Sequence, residues 1–170
     1  NEAGMKYFLM GAFMTGFLLM GITLIYGVTG SFDIYEIQVS IINHISTPIL
    51  ITGIMFLVIA MLFKASVAPF HFWAPDVYTG SPTLVTAFMS TVAKVAAFAA
   101  IYKLFSVLFI SKMVEIEPII VMFIILTFII ANFSALKQTS VKRILAFSGV
   151  SHAGFLLLAV VSSNYESAGN

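Results

Sequence analysis

Five long apolar runs, separated by short polar stretches, organise this chain. They cover about residues 7–28, 45–68, 82–110, 118–136 and 144–161. A helix that crosses a bilayer needs about 20 mostly apolar residues. The pattern therefore predicts an all-α, polytopic transmembrane helix bundle of about five spanning helices. The polar stretch TGSFDIYE at 29–36 predicts a turn after the first span, and Pro69 meets the end of the second. Pro118 suits the first turn of the fourth, where its missing N–H costs nothing.

Two charges break the apolar pattern where a membrane helix tolerates them least. Lys64 closes the run ILITGIMFLVIAMLFK, and Lys94 interrupts LVTAFMSTVAKVAAFAAIY near its middle. A lysine at bilayer depth costs about 2.5–3.5 kcal/mol on insertion scales, and such residues mark ion or proton pathways. Snorkelling to the interface is the alternative for Lys64, which sits near a helix end. Lys94 has apolar residues on both sides and lacks that escape. Lys103, towards the end of the same run, reads as a snorkelling residue.

The composition agrees with a membrane protein: 61% of residues are hydrophobic and 9% charged, against roughly 25% charged in soluble domains. The net charge of +1 leaves no basic patch for nucleic acid. The absence of cysteine excludes disulfides, thiol catalysis and thiolate-held iron–sulfur clusters on this chain. The first apolar run is too long for a cleavable signal peptide and lacks a small-residue cleavage pattern. The chain opens with Asn1 directly before a membrane helix and reads as a piece of a longer protein.

The most basic connection is KQTSVKR, with Lys137, Lys142 and Arg143, whereas the connections at 29–45 and 111–117 carry Asp33, Glu36, Glu115 and Glu117 against Lys112. The positive-inside rule places 137–143 in the cytoplasm. Alternating spans then put Lys6 and the 70–81 connection on the same side.

Residues 64–94 read KASVAPFHFWAPDVYTGSPTLVTAFMSTVAK. Pro69 and Pro75 interrupt the helix and free carbonyls, so 64–81 is a broken-helix segment of the kind found at transporter ion sites. An unbroken helix would put Lys64 and His71 on one face. Neutral imidazole can take up and pass on a proton, making Lys–His–Lys with intervening waters a plausible relay. A pair of haem ligands, His71 with His152, is an alternative of another class that a visible spectrum would decide.

The run K-x-S-x-x-P-F-H-x-W-x-P-D-V-Y-x-G-S-P-T-x-V-T-A-F from Lys64 to Phe88 resembles the subunit N family of antiporter-like proteins in proton-pumping NADH:quinone oxidoreductase, respiratory complex I. LKQTSVKRILAFSGVSHAGF at 136–155 is similar to the family's next signature, and the resemblance covers essentially the whole chain. It implies one part of a proton-conducting, inverted-repeat membrane domain over 1–170, in a multi-pass protein of the bacterial plasma membrane. It implies that Lys64, Lys94 and His71 form the proton relay, with His152 and the pair Glu2 and Lys6 as secondary candidates. It also implies a glutamate upstream of Asn1 and a second-repeat lysine beyond the last residue. No cofactor or metal is expected on this chain: NADH, FMN, iron–sulfur clusters and quinone belong to partner subunits. The expected partners are the other membrane subunits of complex I and the lipid bilayer. A related sodium/proton antiporter or membrane-bound hydrogenase subunit shares the lysines but not Val77 to Gly80.

Other residues read as structural. Asp76 follows Pro75 and suits a helix cap. Trp73 suits an interfacial anchor or a brace for the broken helix. Gly11 with Thr15, and Ala12 with Gly16, have small-xxx-small spacing for helix contact. Phe13, Phe17 and Met20 face lipid or pack.

Overall fold

The computed structural model describes residues 2–43 and 47–168. Every regular element among them is helical: α1 (Glu2–Thr29), α2 (Ile34–Asn43), α3 (Pro48–Lys64), α4 (Trp73–Gly80), α5 (Thr83–Ser90), α6 (Val92–Lys103), α7 (Met113–Leu136) and α8 (Val141–Ala168). A π-helical turn (Leu104–Leu108) and a 3-10 turn (Ile110–Lys112) join α6 to α7. Among the described residues, four stretches are long and apolar enough to cross a bilayer: Glu2–Thr29, Thr83–Leu108, Ile116–Leu136 and Val141–Ser162. The 17 residues of α3 rise about 25 Å, short of the roughly 30 Å hydrocarbon core. A second helical piece, the eight residues of α4, is about 12 Å long and follows a non-helical stretch. The expected discontinuous helix is this pair. Its expected start at Ile45 lies outside the described residues; Thr47 caps α3 and Pro48 opens it.

Several boundaries differ from the sequence expectation. The 29–36 stretch is not simply a turn, because α2 begins at Ile34. Asp33 caps it, its Oδ1 accepting from the backbone N–H groups of Tyr35 (2.8 Å) and Glu36 (3.2 Å), while Ile37 and Ile41 face the core. Gly30, at φ 72°, ends α1 in the left-handed conformation that favours glycine. Helix α7 begins at Met113, so part of the expected 111–117 connection is helical and Pro118 lies in the second turn. There it lacks the N–H that would bond back one turn, so one helical hydrogen bond is missing near the start of α7. The third expected span is interrupted at Thr91 (φ −111°, ψ −77°).

Helix α1 packs along α3, α7 along α8, and α4 sits between α1 and α8. Gly21 and Gly53 let α1 and α3 approach closely: a Cβ on Gly21 would lie 2.8 Å from the Leu57 N and 2.9 Å from the Gly53 carbonyl oxygen. Gly11 and Gly16, expected to make helix contacts, have open space at their Cβ positions. The core joins Leu50, Ile54, Leu62, Ile101, Phe109, Ile120 and Leu157, all essentially inaccessible. Large apolar side chains such as Phe8, Phe13, Leu84 and Phe133 point outward, as a bilayer solvent allows.

Candidate functional site

The site is organised by the way α3 stops. Its last helical residue is Lys64; Ala65 is the cap, and Ser66 follows at φ 60°. The N–H of Ser66 bonds to the Phe63 carbonyl (3.0 Å) and that of Val67 to the Leu62 carbonyl (2.9 Å). These are the two bonds of a Schellman termination, with serine in the left-handed position usually held by glycine. Val67 and Leu62 are both buried, supplying the apolar contact that accompanies the motif. The helix therefore ends before Pro69, at Lys64 rather than at residue 68. Pro75 does not break a helix: it lies in the first turn of α4, where no N–H is needed. Trp73 is the brace, its Nε1–H donating to the Phe63 carbonyl (3.1 Å), which also accepts from Ser66, with its ring between those of Tyr7, Phe63 and Tyr78.

Lys64 is exposed in this chain and opens on a cavity of about 250 Å³ between α1, α3 and α6, beside Tyr7, Trp73 and Ala97. It has no ion-pair or hydrogen-bond partner among the described residues. Because the helix ends here, Lys64 and His71 do not share a helical face. His71 sits on the turn between α3 and α4, half buried, with its ring 6.1 Å from that of Phe147 on α8. Its Nδ1 is buried without a well-formed hydrogen bond among the described residues.

Lys94 is the buried member of the set, only 8% accessible. Its Nζ donates to the carbonyl of Gly149 on α8 at 2.7 Å. It forms no ion pair among the described residues, so a charge inside a span meets a neutral acceptor. Three residues earlier the helix is bent at Thr91. The Ala87 carbonyl accepts from the Thr91 N–H (3.2 Å), Thr91 Oγ1 (2.7 Å) and Ser90 Oγ (3.1 Å), the back-bonding that deflects a helix without proline.

A third cluster lies where α1, α4 and α8 meet. Asp76 is not a cap: α4 has no side-chain cap bond, and the carboxylate lies within its first turn. It bridges Lys6 (3.0 Å) and Arg143 (3.0 Å), while Lys6 also pairs with Glu2 at 2.8 Å. These groups line an open cavity of about 330 Å³. The ion pairs gather Lys6, the 73–80 helix and the start of α8 at one end of the bundle, the grouping that alternating spans require.

His152 is exposed on α8, one turn beyond Gly149, and joins none of these clusters. Sequence reading missed the Gly149 carbonyl, the Thr91 bend and Thr127, a fully buried threonine whose Oγ1 accepts from the Ala68 N–H at 3.1 Å. Thr127 carried a signal as a hydroxyl in the apolar run 118–136, and so did Ser90 and Thr91 in the run 82–110. No group of three or more His, Cys, Asp or Glu among the described residues could hold a metal.

Residues 1–169 match the family described as NADH:quinone oxidoreductase/Mrp antiporter, TM. The NADH-quinone oxidoreductase subunit N of Flavobacterium psychrophilum is 54% identical over 157 residues, 92% of this chain and 34% of that protein. The subunit N of Trichlorobacter lovleyi is 46% identical over 164 residues, 95% of this chain and 34% of that protein. A chain of respiratory complex I from Thermus thermophilus with bound aureothin superposes with a TM-score of 0.79 at 38% identity, over 94% of this chain and 34% of its own. A chain of the Mrp complex from a Dietzia species gives 0.84 at 28% identity, over 94% of this chain and 29% of its own. The chain spans about a third of the length of the curated relatives it matches.

Proposed function

Because the chain belongs to the NADH:quinone oxidoreductase/Mrp antiporter membrane family, we propose that it is part of a subunit N that moves protons through the bacterial plasma membrane. The observation that carries this reading is Lys94. A buried ammonium held by one backbone carbonyl, without a counter-ion among the described residues, is a costly arrangement that packing alone does not require. In this reading protons enter from the cytoplasmic end, marked by Lys6, Asp76 and Arg143. They reach Lys94, then cross by waters and His71 to Lys64. The exposure of Lys64 towards a cavity suits a group that exchanges protons with water. NADH oxidation, flavin and iron–sulfur electron transfer, and quinone reduction take place on partner subunits, to which this chain couples as a membrane element.

In the full-length subunit within the assembled complex, Lys94→Ala is expected to lower proton pumping at least about tenfold, with Lys94→Arg milder because it keeps the charge. Dye-monitored proton uptake in membranes of equal subunit content measures both. Wild-type pumping by Lys94→Ala overturns the proposal.

A second reading, a sodium/proton antiporter subunit, is favoured by the TM-score of 0.84 with the Mrp chain. The higher identities to subunit N relatives, 54% and 46%, favour the first. Sodium-dependent proton movement in vesicles separates the two.

A further inference from the structure

The stretch between α3 and α4 follows Lys64 and carries His71 near its end, and most of its backbone bonds tie it to its own two helices. Ala65, Ser66, Val67 and Ala68 are completely buried. The N–H groups of Ser66 and Val67 turn back onto α3, Pro69 has none, and Ala74 bonds to His71. Ala68 is different. Its N–H makes the one backbone hydrogen bond that links the stretch, among the described residues, to a helix outside the interrupted pair. The acceptor is Thr127 Oγ1, 59 positions along the chain on α7.

Thr127 is built for that task. Its hydroxyl proton is committed to the Phe123 carbonyl at 2.6 Å, which leaves an oxygen lone pair facing Ala68. The residue is fully buried, so water cannot replace it as an acceptor. Phe123, whose carbonyl fixes the hydroxyl, also packs its ring 5.8 Å from that of Phe70. On the opposite side, Gly154 of α8 leaves space that a Cβ would fill to within 3.3 Å of the Thr127 methyl carbon. One hydroxyl therefore fixes the helix break against the α7–α8 pair.

We infer that Thr127 is a positioning residue for the proton path, setting the depth and register of the break that carries Lys64 and His71. The inference rests on the proton-conducting reading above. It assigns α7 a share in the path although α7 holds none of the relay residues.

Thr127→Val keeps the shape and removes the acceptor, whereas Thr127→Ser keeps the acceptor. Both are compared with wild type in the full-length subunit of the assembled complex, as protons pumped per quinone reduced at equal subunit content and across a pH series. Thr127→Val is expected to shift the equilibrium of the correctly placed break about fivefold, the equivalent of one hydrogen bond, and with it to lower that ratio and displace the pH profile. Thr127→Ser is expected to restore both. A residue needed only for folding would change the amount of complex and leave the ratio and the profile of the assembled fraction untouched; that result overturns the inference. If Thr127→Val does not assemble, Thr127→Cys, with its weak sulfur acceptor, takes its place under the same criteria. Lys94→Ala is run in parallel. Should it abolish pumping while Thr127→Val pumps normally, only the role of Thr127 falls; should it pump normally, the proton-conducting reading falls as well.

Discussion

Two interruptions lie within three residues of a lysine, and they are made in opposite ways. The one after Lys64 is eight residues long, 65–72, and is held from several directions. Its ingredients are the Schellman bonds, the Trp73 indole on the Phe63 carbonyl and Thr127 on Ala68. The one before Lys94 is a single residue, Thr91, with neither proline nor glycine, produced by two hydroxyls folding back onto the Ala87 carbonyl. The long, braced interruption presents its lysine to an open cavity, whereas the short bend leaves its lysine packed against α8. A rigid break suits a group that must meet water at a fixed place. A slight bend suits one that must stay dry and still reach a carbonyl.

The contrast can be broken most strongly at Ser66. A β-branched side chain in the left-handed region is a steric outlier, so Ser66→Ile is expected to destabilise the full-length subunit by about 2 kcal/mol, read as a lower thermal unfolding midpoint in detergent. Trp73→Phe should do less, about 1 kcal/mol for the lost indole hydrogen bond; equal midpoints for Trp73→Phe and wild type would remove Trp73 from the brace. At the second interruption, Thr91→Ala removes one back-bond while the Thr91 N–H bond to Ala87 remains. Its stability change should stay within about 0.5 kcal/mol. A Thr91→Ala loss as large as that of Ser66→Ile would erase the distinction between braced break and soft bend.

The spans, the discontinuous helix and the two lysines are legible along the chain because each depends on local composition: apolar length, prolines, and charge set in lipid-like surroundings. The start of α2 is legible too, since Asp33 followed three residues later by Glu36 is a capping signature. The Ser66 termination was hidden because serine stands where glycine would have announced it. The role of Asp76 is hidden for a different reason. Its partners Lys6 and Arg143 lie 70 and 67 positions away, and only the packing of α4 between α1 and α8 brings them together. The same holds for Lys94 with Gly149 and for Ala68 with Thr127. A donor in one helix and an acceptor in another leave no periodic trace in either.

The divided loyalty of Asp76 also bears on how the protein is made. Spans emerge from the ribosome in chain order, so Lys6 is already present when Asp76 appears, whereas Arg143 is 67 residues further on. During that interval only one of its two cations has been made, and the second becomes available when the start of α8 arrives. The acid thus joins the first helix of this segment to its last, and its full pairing requires the start of α8.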